Sequence, residues 1–223
     1  MILQAAKKGV LIMQYTENTF SWSRYYAFRK EIRRTFPSVY RLKIKKKILD
    51  ILAEEIRPGD KILDVGASTQ ALGEKIGDKI ASTTYKTMDI DREQHHDYYS
   101  LDDITEQFDV IILSEVIEHL DLSEGFIMLN QLWSLLKKGG KIIVSTPNLH
   151  HPNRYWVSDH KTPYRHDEVG GALLSVGFKV DKIYRIYNDQ LFKRLFRIYV
   201  MSYLHEYLDI DFAKSIIVVA SKS

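Results

Sequence analysis

The sequence predicts a doubly wound α/β domain built on a mostly parallel sheet. Two observations carry this. From Lys61 onward, short apolar segments alternate with helical ones, the rhythm of strand–helix–strand units. Several strands are also near-continuously apolar, as in Val110-Ile111-Ile112-Leu113, which suggests burial on both faces, as in a parallel sheet. Such sheets bind ligands at the carboxyl ends of their strands, so chemistry-bearing motifs are expected just after strands.

The elements follow in order. The first 40 residues are aromatic and basic (Trp22, Arg24, Tyr25, Tyr26, Phe28, Arg29, Phe36, Tyr40) and read as helical pieces ending near Pro37. Ile44, Ile48, Ile51, Leu52 and Ile56 recur at helical spacing, and Pro58-Gly59 stops that helix. Lys43, Lys45, Lys46 and Lys47 flank its apolar stripe as a solvated face. Strands are expected at 61–66, 84–89, 108–114, 141–146, 178–187 and 215–220, with a weaker one near 98–101. Helices are expected at 72–80, 122–137 and 167–176. Between the last two strands, Leu191, Phe192, Leu195, Phe196, Tyr199, Val200, Tyr203 and Leu204 form one helical stripe, with Lys193, Arg194 and Arg197 facing away. The plainest reading is an inserted helix around 189–208 packed on the domain. A dimer face, a lid over an apolar acceptor and contact with a membrane surface are its functional readings.

Composition bounds the answer further. At 223 residues the chain fits one domain, divided into an N-terminal helical segment, 1–58, and an α/β core, 59–223. A chain this long buries about 70% of its extended surface and needs no staples. There is no cysteine, which excludes disulfides, thiolate zinc sites and cysteine nucleophiles. A net charge of +3 permits an anionic partner without arguing for one. Neither a secretory signal nor an apolar run long enough to span a membrane is evident, so a soluble, cytoplasmic protein is expected.

The cofactor site reads from two features. Lys61–Val65 is an apolar strand that runs into Gly66-Ala67-Ser68, where small side chains let the backbone approach a ligand closely. Asp89 ends the next strand, 23 positions after Gly66, the spacing at which a carboxylate can accept ribose hydroxyls. Glu115, Glu118 and His119 stand at i, i+3 and i+4, one face of a helix.

Ile62-Leu63-Asp64-Val65-Gly66 resembles the first motif of class I S-adenosylmethionine (SAM)-dependent methyltransferases. Phe108 to Leu120 resembles their fourth strand and its following turn, and Leu136 to Asn148 their fifth strand. The likeness spans roughly residues 45–180. It implies a Rossmann-like seven-stranded sheet whose last strand is antiparallel, with SAM as cofactor. By the same resemblance, Asp64 and the backbone of Gly66, Ala67 and Ser68 would hold the methionine end of SAM. Asp89, with Ile90 beside it, would hold the ribose. Asp102 or Asp103 would meet the adenine amino group, and Ser114 and Glu115 would line the methionine side. The family usually has further glycines where this chain has Ser68 and Gln70, and the bulkier Gln70 is expected to tighten the pocket.

In metal-dependent relatives, the ubiquinone O-methyltransferases and the small-RNA 3′-terminal 2′-O-methyltransferases, residues matching Glu115, Glu118 and His119 bind a divalent ion together with a later histidine. Asp159-His160-Lys161 resembles that later element. The resemblance thus offers Glu115, Glu118, His119 and His160 as ligands for Mg²⁺ or Mn²⁺. Without metal, His119 or His160 could act as general base for a hydroxyl acceptor, with Glu118 in the same cluster. The RNA enzymes carry an aromatic–acidic–Trp–Thr–Arg run after the late histidine. This chain has Thr162-Pro163-Tyr164-Arg165-His166 instead.

The function expected is therefore methyl transfer from SAM to a hydroxyl of a small, partly apolar molecule. A catalytically degenerate SAM-binding scaffold and an RNA methyltransferase are the alternatives. No DNA partner is expected, and a homodimer is one option. A nicotinamide-dependent oxidoreductase is disfavoured, because Gly66-Ala67-Ser68-Thr69-Gln70-Ala71 lacks the G-x-G-x-x-G turn.

Overall fold

The computed structural model describes residues 21–69, 71–153 and 157–223. Gln70, whose bulk was expected to tighten the pocket, and residues 1–20 lie outside them.

Seven strands form one sheet: β1 (Lys43–Lys45), β2 (Lys61–Val65), β3 (Thr84–Met88), β4 (Phe108–Ser114), β5 (Leu136–Pro147), β6 (Lys179–Ile186) and β7 (Ser215–Ser221). Their order is β1-β6-β7-β5-β4-β2-β3. β7 runs antiparallel to both β5 and β6, and every other pairing is parallel. The winding reverses between β2 and β4, which makes their carboxyl ends the topological switch point.

Two expectations are corrected. The segment 98–101 adds no strand: Tyr98 makes a single bridge to Met88. Ser100 then caps a 3-10 turn, Leu101–Asp103, by accepting from the Asp102 N–H. The seventh strand comes instead from Lys43–Lys45, inside the segment read as helical. Ile44 is a strand residue there, paired with Arg185, and the helix begins only at Ile48.

Helices α1 (Trp22–Thr35), α2 (Ile48–Glu55), α3 (Ala71–Gly77), α4 (Leu122–Leu135) and α5 (His166–Val176) cover the sheet. One apolar layer joins α1, α4 and α5 to the sheet through residues such as Ile32, Phe126, Leu173 and Val144. A second joins α2 and α3 through Ile51, Leu52, Ile76 and Ile112. α1 is locked to α5 by a buried charge, because the fully buried Asp167 accepts from Arg29 and Arg33. Those guanidiniums and Arg165 hold its carboxyl below the usual range against the opposing effect of burial. Gly170 and Gly171 let α1 approach, since a Cβ at either would meet Ile32 or Arg29 within 3 Å.

Between β6 and β7 the chain forms α6 (Leu191–Leu195), a π turn (Phe196–Val200) and α7 (Ser202–Tyr207). Among the described residues no helix is long and apolar enough to cross a membrane.

Candidate active site

The switch point is built from two sharp turns. After β2 the chain enters Gly66 at φ +75°, and a Cβ there would stand 2.2 Å from Cγ2 of Val116. Only glycine fits both the left-handed backbone and the close approach. The Gly66 and Ala67 N–H groups donate to the Met88 carbonyl at 2.8 and 3.3 Å. The Ser68 N–H, also at positive φ, donates to Asp89 Oδ2 at 2.8 Å. The other Asp89 oxygen accepts from the Asp91 N–H at 2.9 Å. Asp89 is thereby fixed against the glycine turn, while the neighbouring Ile90 is exposed.

Asp64 is buried and accepts the Tyr85 hydroxyl. Burial pushes its carboxyl up to about 6, against the pull of that hydrogen bond. Asp102 and Asp103 are exposed on the 3-10 turn, and Asp102 accepts from Gln131 at 3.0 Å.

The second turn follows β4. Ser114 pairs with Ser145 across the sheet, their hydroxyls 3.3 Å apart. Glu115 then adopts φ +54°, an unfavourable backbone for a non-glycine residue and a recurrent mark of functional sites. Its Oε1 accepts the Ser145 hydroxyl at 2.5 Å, and although the residue as a whole is exposed, desolvation of the carboxyl at the base of the turn raises it. Because of that kink, Glu115, Glu118 and His119 do not share an α-helical face. The chain makes a 3-10 turn, Ile117–His119, instead.

That turn brings three of the four expected ligands together. Donor atoms of Glu118, His119 and His160 lie within 4.8 Å of one another. Glu115 falls outside this group, held by Ser145. The His119 and His160 rings stand edge to face with centroids 4.9 Å apart. The loop carrying His160 is tied down by the Glu118 carbonyl, which accepts the Lys161 and Thr162 N–H groups at 2.8 and 3.0 Å. The Thr162 hydroxyl donates to the Leu120 carbonyl at 2.7 Å. Glu118 is 1% exposed, and neither carboxylate oxygen has a hydrogen-bond partner among the described residues. Burial, followed by the charge of Glu115, pushes its carboxyl up to about 8. The Thr146 hydroxyl eases that rise slightly but stays outside hydrogen-bond geometry.

Sequence reasoning did not assign a role to Asp159. Its Oδ2 sits 3.1 Å from His119 Nδ1, so it can fix that ring's tautomer and leave Nε2 free. The acid beside His160 in Asp159-His160-Lys161 was the available signal, but only the fold shows that it reaches back to His119.

Two clefts of about 220 and 170 Å³ lie elsewhere, one between Thr35–Lys43 and Asp181–Tyr184, the other beside Glu55, Asp109 and Lys141. Neither includes a candidate site residue. Most large hydrophobic side chains of the inserted segment, Leu191, Phe192, Tyr199 and Tyr203 among them, are exposed.

A family model described as a methyltransferase domain matches residues 32–183. The chain belongs to that family, and its sheet is the class I fold of the SAM-dependent enzymes. A SAM-dependent methyltransferase from Archaeoglobus fulgidus superposes with a TM-score of 0.60 at 18% identity, covering 89% of this chain and 94% of that one. One from Mesorhizobium loti gives 0.55 at 14% identity, covering 78% and 96%. Phosphoethanolamine N-methyltransferase 2 from Haemonchus contortus, in complex with SAM, gives 0.53 at 13% identity, covering 78% and 51%. No curated protein sequence matches the chain.

Proposed function

We propose that the chain transfers the methyl group of SAM to a hydroxyl oxygen of a small-molecule acceptor. The observation that carries this reading is the buried, unpartnered Glu118 carboxylate grouped with His119 and His160 just after β4. Two imidazoles and a carboxylate at the ligand-binding edge suit removal of a hydroxyl proton.

The residues present fit SAM, which supplies an electrophilic methyl group when bound. Gly66 lets the turn pass close against Val116, where a Cβ has no room, and Asp89 is already oriented by the Ser68 N–H. Asp64, Gly66, Ala67, Ser68, Ser114 and Glu115 would hold the methionine end, Asp89 and Ile90 the ribose, and Asp102 or Asp103 the adenine. His119, aligned by Asp159, would accept the acceptor's proton at Nε2, with His160 orienting the hydroxyl. The remaining work is alignment, because methyl transfer is an in-line displacement that depends on positioning.

A second reading rests on the same cluster. Glu118, His119 and His160 offer one oxygen and two nitrogen donors, a set that Mg²⁺, Mn²⁺ or Fe²⁺ would accept. A bound ion would lower the pKa of an acceptor hydroxyl.

The test is methyl transfer from deuterated SAM to a panel of catechol-like and aliphatic hydroxyl acceptors and their amine analogues, read by mass spectrometry. Oxygen methylation, lowered about 10²- to 10⁴-fold in His119→Gln, supports the reading. Labelling of amines alone, or no SAM binding, overturns it. Activity that survives metal stripping favours the base. Activity lost on stripping and restored by Mn²⁺ favours the ion.

A further inference from the structure

The segment between β6 and β7 is amphipathic the wrong way round. A packed helix would turn its apolar stripe inward and its cations outward, as the sequence pattern suggests. The structure does the reverse. Arg197 lies inward, donating to Asp189 at 2.7 Å and stacking on Phe212 at 3.7 Å. Arg194 is half-buried and His205 is buried. The outer side carries Phe192, Phe196, Tyr199, Tyr203 and Tyr207, each 52–85% exposed, flanked by exposed Leu191, Leu195, Val200 and Leu204. Monomeric proteins rarely leave so continuous an apolar surface in water.

We infer that this face is the interface through which two copies of the chain form a two-fold dimer. Three observations select a second copy. The first is area. Five aromatic side chains at these exposures would bury roughly 700 Å² per copy, close to the roughly 800 Å² per partner of a standard specific interface before the flanking aliphatics are added.

The second is the order of the residues. Outward from the Tyr199-Val200 midpoint, Phe196 is mirrored by Tyr203 and Phe192 by Tyr207. An antiparallel apposition about a two-fold axis therefore sets Phe196 against Tyr203 and Phe192 against Tyr207, with Tyr199 against Val200 at the axis, the self-complementarity an isologous contact requires. The third is charge. Exposed Lys193 lies at one end of the row and exposed Glu206 at the other, so antiparallel pairing brings opposite charges together at each rim. An anionic lipid surface would need several outward cations, whereas of Lys193, Arg194 and Arg197 only Lys193 is fully exposed and Arg197 is turned inward.

The inference does not depend on the reaction catalysed. It is tested by sedimentation of the full chain up to about 100 µM, beside the double variant Phe192→Asp/Tyr203→Asp. Both positions are more than 80% exposed, so the variant should keep the wild-type circular dichroism and unfolding temperature. The wild type is expected at twice its 26.1 kDa mass, with the variant's dimerisation weakened at least thirtyfold, the loss expected when central aromatic anchors are removed. A monomeric wild type at the highest concentration overturns the inference, as does a dimer unchanged by the two aspartates. A monomer that floats with phosphatidylglycerol vesicles, and fails to once the aspartates are present, also overturns it and assigns the face to lipid.

Discussion

Two structures rise from the same edge of the sheet on opposite plans. At the ends of β2 and β4 the backbone itself is specialised: Gly66, Ser68 and Glu115 all take positive φ, and polar groups are pulled into burial. Between β6 and β7 the backbone is helical apart from one π turn, and the abnormality lies in which side chains face out. The first region stores local strain and a buried carboxyl group without a hydrogen-bond partner among the described residues, held by the surrounding core. The second leaves apolar area in water. Substitutions in the first should therefore change ligand binding and stability of the monomer, and substitutions on the outer face of the second should change association alone.

The sharpest way to break this contrast is Gly66→Val. The added side chain meets Val116 at a position whose φ already excludes it, so SAM affinity by calorimetry should fall at least about 100-fold, or roughly 3 kcal/mol. Gly59 is the control. It too has positive φ, but no atom lies within 4 Å of a Cβ built there. Gly59→Ala should cost only about 1 kcal/mol of backbone strain and leave SAM affinity unchanged. Equal losses at both positions would mean that the close approach at Gly66 is irrelevant.

Next in size is Glu118→Gln, measured by thermal unfolding of metal-stripped protein across pH. The folded Glu118 carboxyl sits near 8 against about 4.5 unfolded. Between those values the folded state holds a proton that the unfolded state has lost. Its contribution to stability is thus fully present below about pH 4.5 and lost as pH rises through 8. The neutral amide escapes this loss, so the variant's advantage should grow from pH 5 to pH 8 to about 2–4 kcal/mol and then level off. An advantage independent of pH would show that Glu118 is partnered in solution.

The inserted helix gives the converse test. Arg197→Ala removes an ion pair and a cation–π contact on the inner side and should cost about 1–2 kcal/mol. Tyr199→Ser, on the outer side, should cost the monomer under about 0.5 kcal/mol. If the outer substitution destabilises the isolated chain more, the face is packed within the monomer and the contrast fails.

The same contrast explains what could be read in advance. β2, β4, β5 and β7 announce themselves because buried parallel and central strands must be apolar throughout. The glycine turn is legible because its positive φ and close approach to Val116 constrain residue type, and Asp89 because it ends β3 beside that turn and accepts the Ser68 N–H. β1 was hidden because Ile44, Ile48 and Ile51 satisfy helical spacing equally well, and three residues are too few to show alternation. The segment at 98–101 looked like a strand because Tyr98 does bridge Met88, but the Ser100 cap ends it. The inserted helix was recognisable as an apolar stripe. Which side meets the body was not, because that depends on Asp189 and Phe212 drawing Arg197 inward. The grouping of His119 with Asp159 is likewise tertiary, made by backbone bonds from a distant loop.

A small gain is expected at Ser68, where the first motif departs from its family. Ser68 holds φ +47° without glycine's freedom, a conformation that costs an ordinary residue about 1–2 kcal/mol. Its contact with Asp89 uses only the backbone N–H, so a glycine there keeps the bond. Ser68→Gly relieves the strain but gives the unfolded chain more freedom to lose. The net gain should be about 0.5–1 kcal/mol, a rise of roughly 1–4 °C in a chain of this size. SAM affinity should stay equal or improve, because Asp89 remains in place. A loss of stability would mean that the serine side chain makes a bond the backbone geometry does not require. A loss of SAM affinity without loss of stability would mean that the hydroxyl itself touches the cofactor, making this departure from the family a gain of contact.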